Sequence, residues 1–182
     1  VMLTASRLKK TNICEYLLYM WQVEDLIRAL QLDMAKIITT LVDTRTFKDE
    51  TERKAVVEWY ESLVDMMRTE NVNEKGHLQI NRNVIIDLND FHHRALRSGL
   101  LPEYNAKFMH ILPMIHQLRM KSEEGLSDIE LCFNFQYGIL LLELQKREIG
   151  PETLKTQEEI AKFMVLLARN FHLYNNGELD LE

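Results

Sequence analysis

Glycine, proline and cysteine are all scarce in this chain, at 6, 3 and 2 residues of 182. The glycines stand too far apart for a phosphate-binding loop, which needs several within one tight turn. The two cysteines, Cys14 and Cys132, are distant and form no CxxC pair, so they read as small core residues in a reducing compartment. No apolar run approaches the ~18 residues of a membrane span. No apolar stretch follows Arg7, Lys9 and Lys10 before Asn12, as a secretory signal would require. Basic runs are missing too. The formal net charge is -6, with lysines and arginines spread among acids, so a nucleic-acid backbone is not an expected partner. These absences point to a cytoplasmic protein that acts on neither membrane nor nucleic acid.

What is present is an ordinary globular composition, 46% hydrophobic and 27% charged, in a chain long enough for one well-buried core. Residues 1–182 read as one helical domain, with residues 1–11 and 176–182 as tails. Val1-Met2 suggests that the natural start differs, and Leu181-Glu182 reads as a vector remnant. Gly76, Gly99, Gly125, Gly150 and Gly177 fall where helical patterns stop, and Pro102 and Pro151 follow two of them. Between these breaks the apolar residues recur every three or four positions, with no alternating strand pattern. An all-α bundle of about seven helices is expected, mostly antiparallel because the connections are short.

The first helix runs from its cap, Asn12, to about Leu30, and a shorter one follows Asp33. The third opens on a capping box of Asp49 and Glu52, the fourth ends at Gly99, and the fifth starts at about Pro102. Ser127 with Glu130 opens the sixth, and Thr156 with Glu159 sits near the start of the seventh. Helices one and six are apolar nearly all round and should form the centre. Gly138, inside helix six, implies a close helix crossing. Pro113, inside helix five, implies a kink or a break at Leu112.

The segments Glu15 to Arg28, Lys75-Gly-His-Leu-Gln-Ile-Asn81, the surroundings of Asp87, and Leu141-Leu-Glu-Leu-Gln-Lys146 together resemble an uncharacterised domain-of-unknown-function family from Bacteroidetes. The resemblance covers most of the chain. It implies a cytoplasmic, helical bacterial protein, and it brings no activity and no catalytic residues with it.

The six histidines, His77, His92, His93, His110, His116 and His172, offer no pair three or four residues apart, the spacing that shares one helix face. The nearest approach to a Glu-x-x-His element is Asp90-x-x-His93, without a second copy. No metal and no other cofactor is therefore expected. Nucleophile motifs such as GxSxG are missing as well. The methionines, at helical spacing, read as core filler.

Polar residues on apolar stripes are more informative. At ~100° per residue, Glu24 falls among Ile13, Leu17, Met20 and Ile27, with Arg28 one turn on. Helix six repeats the arrangement, with Glu143 and Gln136 beside its stripe and Arg147 one turn after Glu143. On helix four, Asn81, Asp87 and His92 flank the core stripe. These eight residues are the candidate ligand-binding set. The bland reading makes Glu24/Arg28 and Glu143/Arg147 ion pairs of ~0.2–0.5 kcal/mol each.

The leading functional reading is a protein–protein interaction or assembly module without catalysis. Trp59, Tyr60, Met66 and Met67 on helix three suggest self-association as a symmetric homodimer. The alternative is a small-molecule-binding bundle with a polar pocket between helices one, four and six. An enzyme of unrecognised class is the third reading.

Overall fold

Eight α-helices and one π-helical turn make up the secondary structure of residues 3–182, which the computed structural model describes; the Val1-Met2 start lies outside them. The helices are α1 (Thr4–Thr11), α2 (Ile13–Ala29), α3 (Met34–Ile37), α4 (Glu50–Thr69), α5 (Gln79–Ser98), α6 (Pro102–Met120), α7 (Asp128–Leu144) and α8 (Pro151–Asn175); the π-helical turn, Ile38–Val42, continues α3. No strand occurs among the described residues, and no helix is long and apolar enough to cross a membrane.

Local chemistry places most of the helix starts where the sequence implies. Asn12 Oδ1 accepts from the amides of Cys14 and Glu15, both at 3.1 Å, and Asp33 and Asp49 cap α3 and α4 in the same way. Ser127 Oγ accepts from Glu130 N at 3.1 Å at the start of α7. Helix α8 opens at Pro151, ahead of Thr156; proline tolerates the first helical position because its missing N–H would be unpaired there anyway.

The additional helix is α1, in the segment read as an N-terminal tail. Arg7, Lys9 and Lys10 obscure its apolar side, yet Ala5 is buried and Leu3 and Leu8 pack on the core. At the other end residues 176–182 form no helix, but Leu181 is also buried against the core. The break at Leu112 does not occur, because helix α6 continues through Pro113. The ring is tolerated on a solvent-facing side, where Met109, the residue whose carbonyl loses its donor, is also exposed. A Cβ built at Gly138 meets nothing within 4 Å, so no close crossing requires that glycine.

The core is centred on α2, α7 and α8. Leu17 and Ile27 of α2, Ile129 and Phe133 of α7, and Phe163 and Leu167 of α8 are wholly buried. Helix α8 touches α2, α5, α6 and α7, and so shares the centre with the two helices expected there. Only the first part of α7 is enclosed; its end, from Glu143 on, is exposed. The apolar residues of α4 are used within the chain: Tyr60 and Met67 are buried, and Trp59 stacks on Tyr19 at 6.5 Å. They leave no surplus apolar face as an argument for a homodimer.

One polar pair lies inside this core. His92 of α5 is buried against Phe108 and Phe163, and its Nδ1 lies 2.6 Å from the hydroxyl of Tyr104. Burial, and secondarily the adjacent His93, lower the pKa of His92 from 6.5 to about 4. The ring is therefore neutral at neutral pH, and the tyrosine hydroxyl donates to Nδ1. Because the folded pKa is depressed, the unfolded chain takes up the proton first as the pH falls. Stability is full above about pH 6.5 and declines toward pH 4, by roughly 3 kcal/mol in all. Chemical denaturation across this range should show that slope, and His92→Gln should flatten it.

Candidate functional site

Glu24 projects from α2 into the start of α5 and is 1% exposed. Its carboxylate accepts three hydrogen bonds: from His77 Nδ1 at 2.7 Å, from the Leu78 amide at 2.7 Å and from Asn81 Nδ2 at 3.1 Å. Leu78 is the N-cap residue of α5 and has no side chain able to cap. Glu24 therefore supplies, from another helix, the acceptor that an N-terminus needs. The next amide, of Gln79, donates to Glu70 Oε1 at 2.7 Å.

Arg28, one turn along α2, holds the preceding loop. Its Nε donates to the carbonyl of Val72 at 3.0 Å, and a terminal nitrogen donates to the carbonyl of Gly76. Its ion-pair partner is Asp25, at 2.8 Å, rather than Glu24. The two side chains that the sequence suggests as a pair thus act together on one segment, residues 72–78, without touching as a pair.

The segment presents His77. Its ring lies on Trp21 with centroids 4.4 Å apart and planes 14° from parallel. Trp21 is steadied in turn by edge contacts with Phe133 and Tyr137. The Tyr137 hydroxyl donates to Asp25, and burial together with that carboxylate pushes its pKa up. The His77 side chain is 38% exposed, whereas the carboxylate behind it is enclosed.

A cavity of about 630 Å³ opens on one side of the Trp21–His77 stack. Its wall is built from Trp21 of α2, Asn81, Ile85 and Ile86 of α5, Leu126 of the loop before α7, and Asn134 of α7. Arg82, Lys121, Glu123 and Glu130 also line it, two charges of each sign. A second, shallower cavity of about 490 Å³ shares Trp21, His77 and Asn134 with the first and passes Arg28, Tyr137 and Gly138. Among the residues that line the first cavity, Trp21 Nε1 and Asn81 Oδ1 are enclosed atoms with no hydrogen-bond partner among the described residues.

Of the eight candidate ligand-binding residues, Glu24, Arg28 and Asn81 meet here. Gln136 lies elsewhere; it donates to the carbonyl of Gln157 at 3.0 Å beside a cleft of about 140 Å³. His92 is in the core, and Asp87 is exposed on the far part of α5. Glu143 is exposed too, contrary to the burial its projection implies, and Arg147 is not on its helix at all. Helix α7 stops at Leu144, and Lys146 turns the chain with φ 54°, so no i, i+4 pair can form. Trp21 and His77 were absent from the sequence reading of the site. The available signal was the Gly76-His77-Leu78 turn just ahead of Asn81, inside one of the segments that carry the resemblance.

The family model for a domain of unknown function (DUF4924) matches residues 2–178. The chain belongs to this family. No curated protein and no solved structure matches it.

Acid–base and hydrogen-bonding chemistry is what this arrangement offers. Among the described residues no three His, Cys, Asp or Glu side chains are grouped to hold a metal ion. Both cysteines are buried and unbonded to each other. Burial pushes the thiol of Cys132 up to about 12 and raises that of Cys14 as well, so neither is a ready nucleophile.

Removing the Glu24 carboxylate strands a backbone amide, an imidazole and an amide side chain at once. Glu24→Ala should cost about 3 kcal/mol or more, while Glu143→Ala should melt like wild type. Equal melting temperatures for the two variants would show that Glu24 does not hold the start of α5.

Proposed function

We propose that this protein is a small-molecule-binding helical domain, with its ligand in the cavity between α2, α5 and α7 beside the Trp21–His77 stack. The observation that carries this reading is the cavity itself, whose lining joins Trp21 and the partly exposed His77 ring to the apolar Ile85, Ile86 and Leu126. An apolar wall with a few convergent polar groups, at about 630 Å³, is the usual form of such a site.

The interaction-module reading has less behind it, because the α4 residues that motivated it pack inside the chain. A cytoplasmic bacterial setting, and the absence of any prosthetic group, remain part of the proposal. The two free buried thiols support a reducing compartment.

Thermal denaturation against a library of neutral and charged metabolites tests the reading. A true ligand at a hundred times its dissociation constant contributes about 2.7 kcal/mol, a shift of several degrees. Asn134→Trp, a substitution at an exposed position shared by both cavities, should abolish that shift without lowering the melting temperature of the free protein. A shift that survives Asn134→Trp would place the ligand elsewhere.

A further inference from the structure

We infer that the ligand of this cavity is a neutral phenol, whose hydroxyl donates to Nε2 in the plane of the His77 ring while its apolar body covers Ile85, Ile86 and Leu126. This rests on the small-molecule reading above and names its ligand class.

Two sides of the His77 imidazole are taken up by the protein. Nδ1 lies 2.7 Å from Oε1 of Glu24, and one face rests on Trp21. Oε2 of Glu24 accepts from the Leu78 amide and from Asn81 Nδ2. A carboxylate has no proton of its own to give, so the proton of the Glu24–His77 contact sits on Nδ1. In the neutral ring Nε2 then bears the lone pair. Nε2 has no hydrogen-bond partner among the described residues. The enclosed side-chain atoms without a partner among those residues are Trp21 Nε1, Asn81 Oδ1 and Asn105 Oδ1, and Nε2 is not one of them. It is an acceptor open to solvent, on a ring that lines both cavities. Glu24 is its positioning residue.

The direction of the lone pair sets the geometry of the ligand. It lies in the imidazole plane, so a donor approaches the ring edge on, and the body of the ligand extends beyond that edge and not over the face. The apolar part of the cavity lining is Ile85, Ile86 and Leu126, and Ile86 is 58% exposed. A flat hydrocarbon ring gives this wall the cover it lacks.

Charge argues for neutrality. The basic Arg82 and Lys121 are matched at the cavity by Glu123 and Glu130. The positive end of α5, where an anion would otherwise sit, is already met by the protein's own carboxylates, Glu24 and Glu70. Among neutral oxygen and nitrogen donors, a phenolic O–H, with a pKa of about 10, is far more acidic than an alcohol or an amide. It therefore makes the stronger hydrogen bond to an imidazole nitrogen.

The test uses 4-ethylphenol and its methyl ether, 4-ethylanisole, which share a body and differ in the hydroxyl proton. In a long-range nitrogen–proton spectrum at pH 8, His77 of the free protein should carry its proton on Nδ1 and none on Nε2. 4-Ethylphenol should move the Nε2 resonance and leave the indole N–H of Trp59, one of the 2 tryptophans, in place. The ether should bind at least about fivefold more weakly, the value of one net hydrogen bond. Glu24→Gln tests the positioning. Its amide oxygen can keep the Leu78 and Asn81 bonds while its NH2 donates to Nδ1, which moves the His77 proton to Nε2. That variant, shown to be folded by an unchanged Trp59 signal, should no longer distinguish phenol from ether. A proton on Nε2 of the free wild-type protein, or an ether less than fivefold weaker than the phenol, would overturn the inference. So would a preference for the phenol that persists in Glu24→Gln once its Nε2 carries the proton. If another class of compound gives the Asn134-dependent thermal shift and 4-ethylphenol does not, the cavity reading stands and this ligand class falls. If no compound of any kind gives that shift, both fall.

Discussion

The carboxylate of Glu24 stands at the junction of everything that gives this protein a site. It is enclosed, and it satisfies the first turn of α5, which has no cap of its own. An ionised group buried at 1% exposure is tolerable only with its oxygens fully engaged, and the three donors around it meet that condition. The same three bonds fix the crossing of α2 and α5 and the position of the 72–78 segment. Arg28 reinforces the arrangement from the next turn by holding two carbonyls of that segment.

The molecule contains two buried polar centres, and they differ in kind. His92 and Tyr104 form a closed pair surrounded by aromatic rings, with the histidine held neutral. It is sealed from the cavities, and its effect is on stability. Glu24 and His77 form an open pair, in which the charged member is enclosed and the histidine borders solvent-filled space. A histidine beside a buried acceptor and an accessible cavity is equipped for recognition in a way that a histidine inside a ring of phenylalanines is not.

Much of the fold was legible in the sequence, because helix periodicity and capping are local. Asn12, Asp33, Asp49 and Ser127 cap the helices that they were expected to cap. Helix α1 was hidden because eight residues carry too few apolar positions to reveal a face among Arg7, Lys9 and Lys10. The site was legible only in part. A helical projection finds Glu24 on an apolar stripe, but its chief partner, His77, lies 53 residues away on a different element. The same projection misjudged Glu143, since it gives an angle about the axis and says nothing of where along the axis a helix leaves the core. Sequence spacing tested the histidines for metal ligation and passed over His77 for the reason that it has no helical neighbour; its position is set by a carboxylate from elsewhere.

The stacking of His77 on Trp21 has an optical consequence. Trp21 is 4% exposed, ringed by Phe133, Tyr137 and the imidazole, while the other indole, Trp59, lies on the far side of α2 against Tyr19 and Tyr60. Imidazole in face-to-face contact quenches indole emission, and does so more strongly once protonated. The fluorescence of this protein is thus divided between one chromophore that senses the state of the cavity and one that does not. Any event that lifts the 72–78 segment, or changes the charge on its histidine, is written into the light emitted by a single residue.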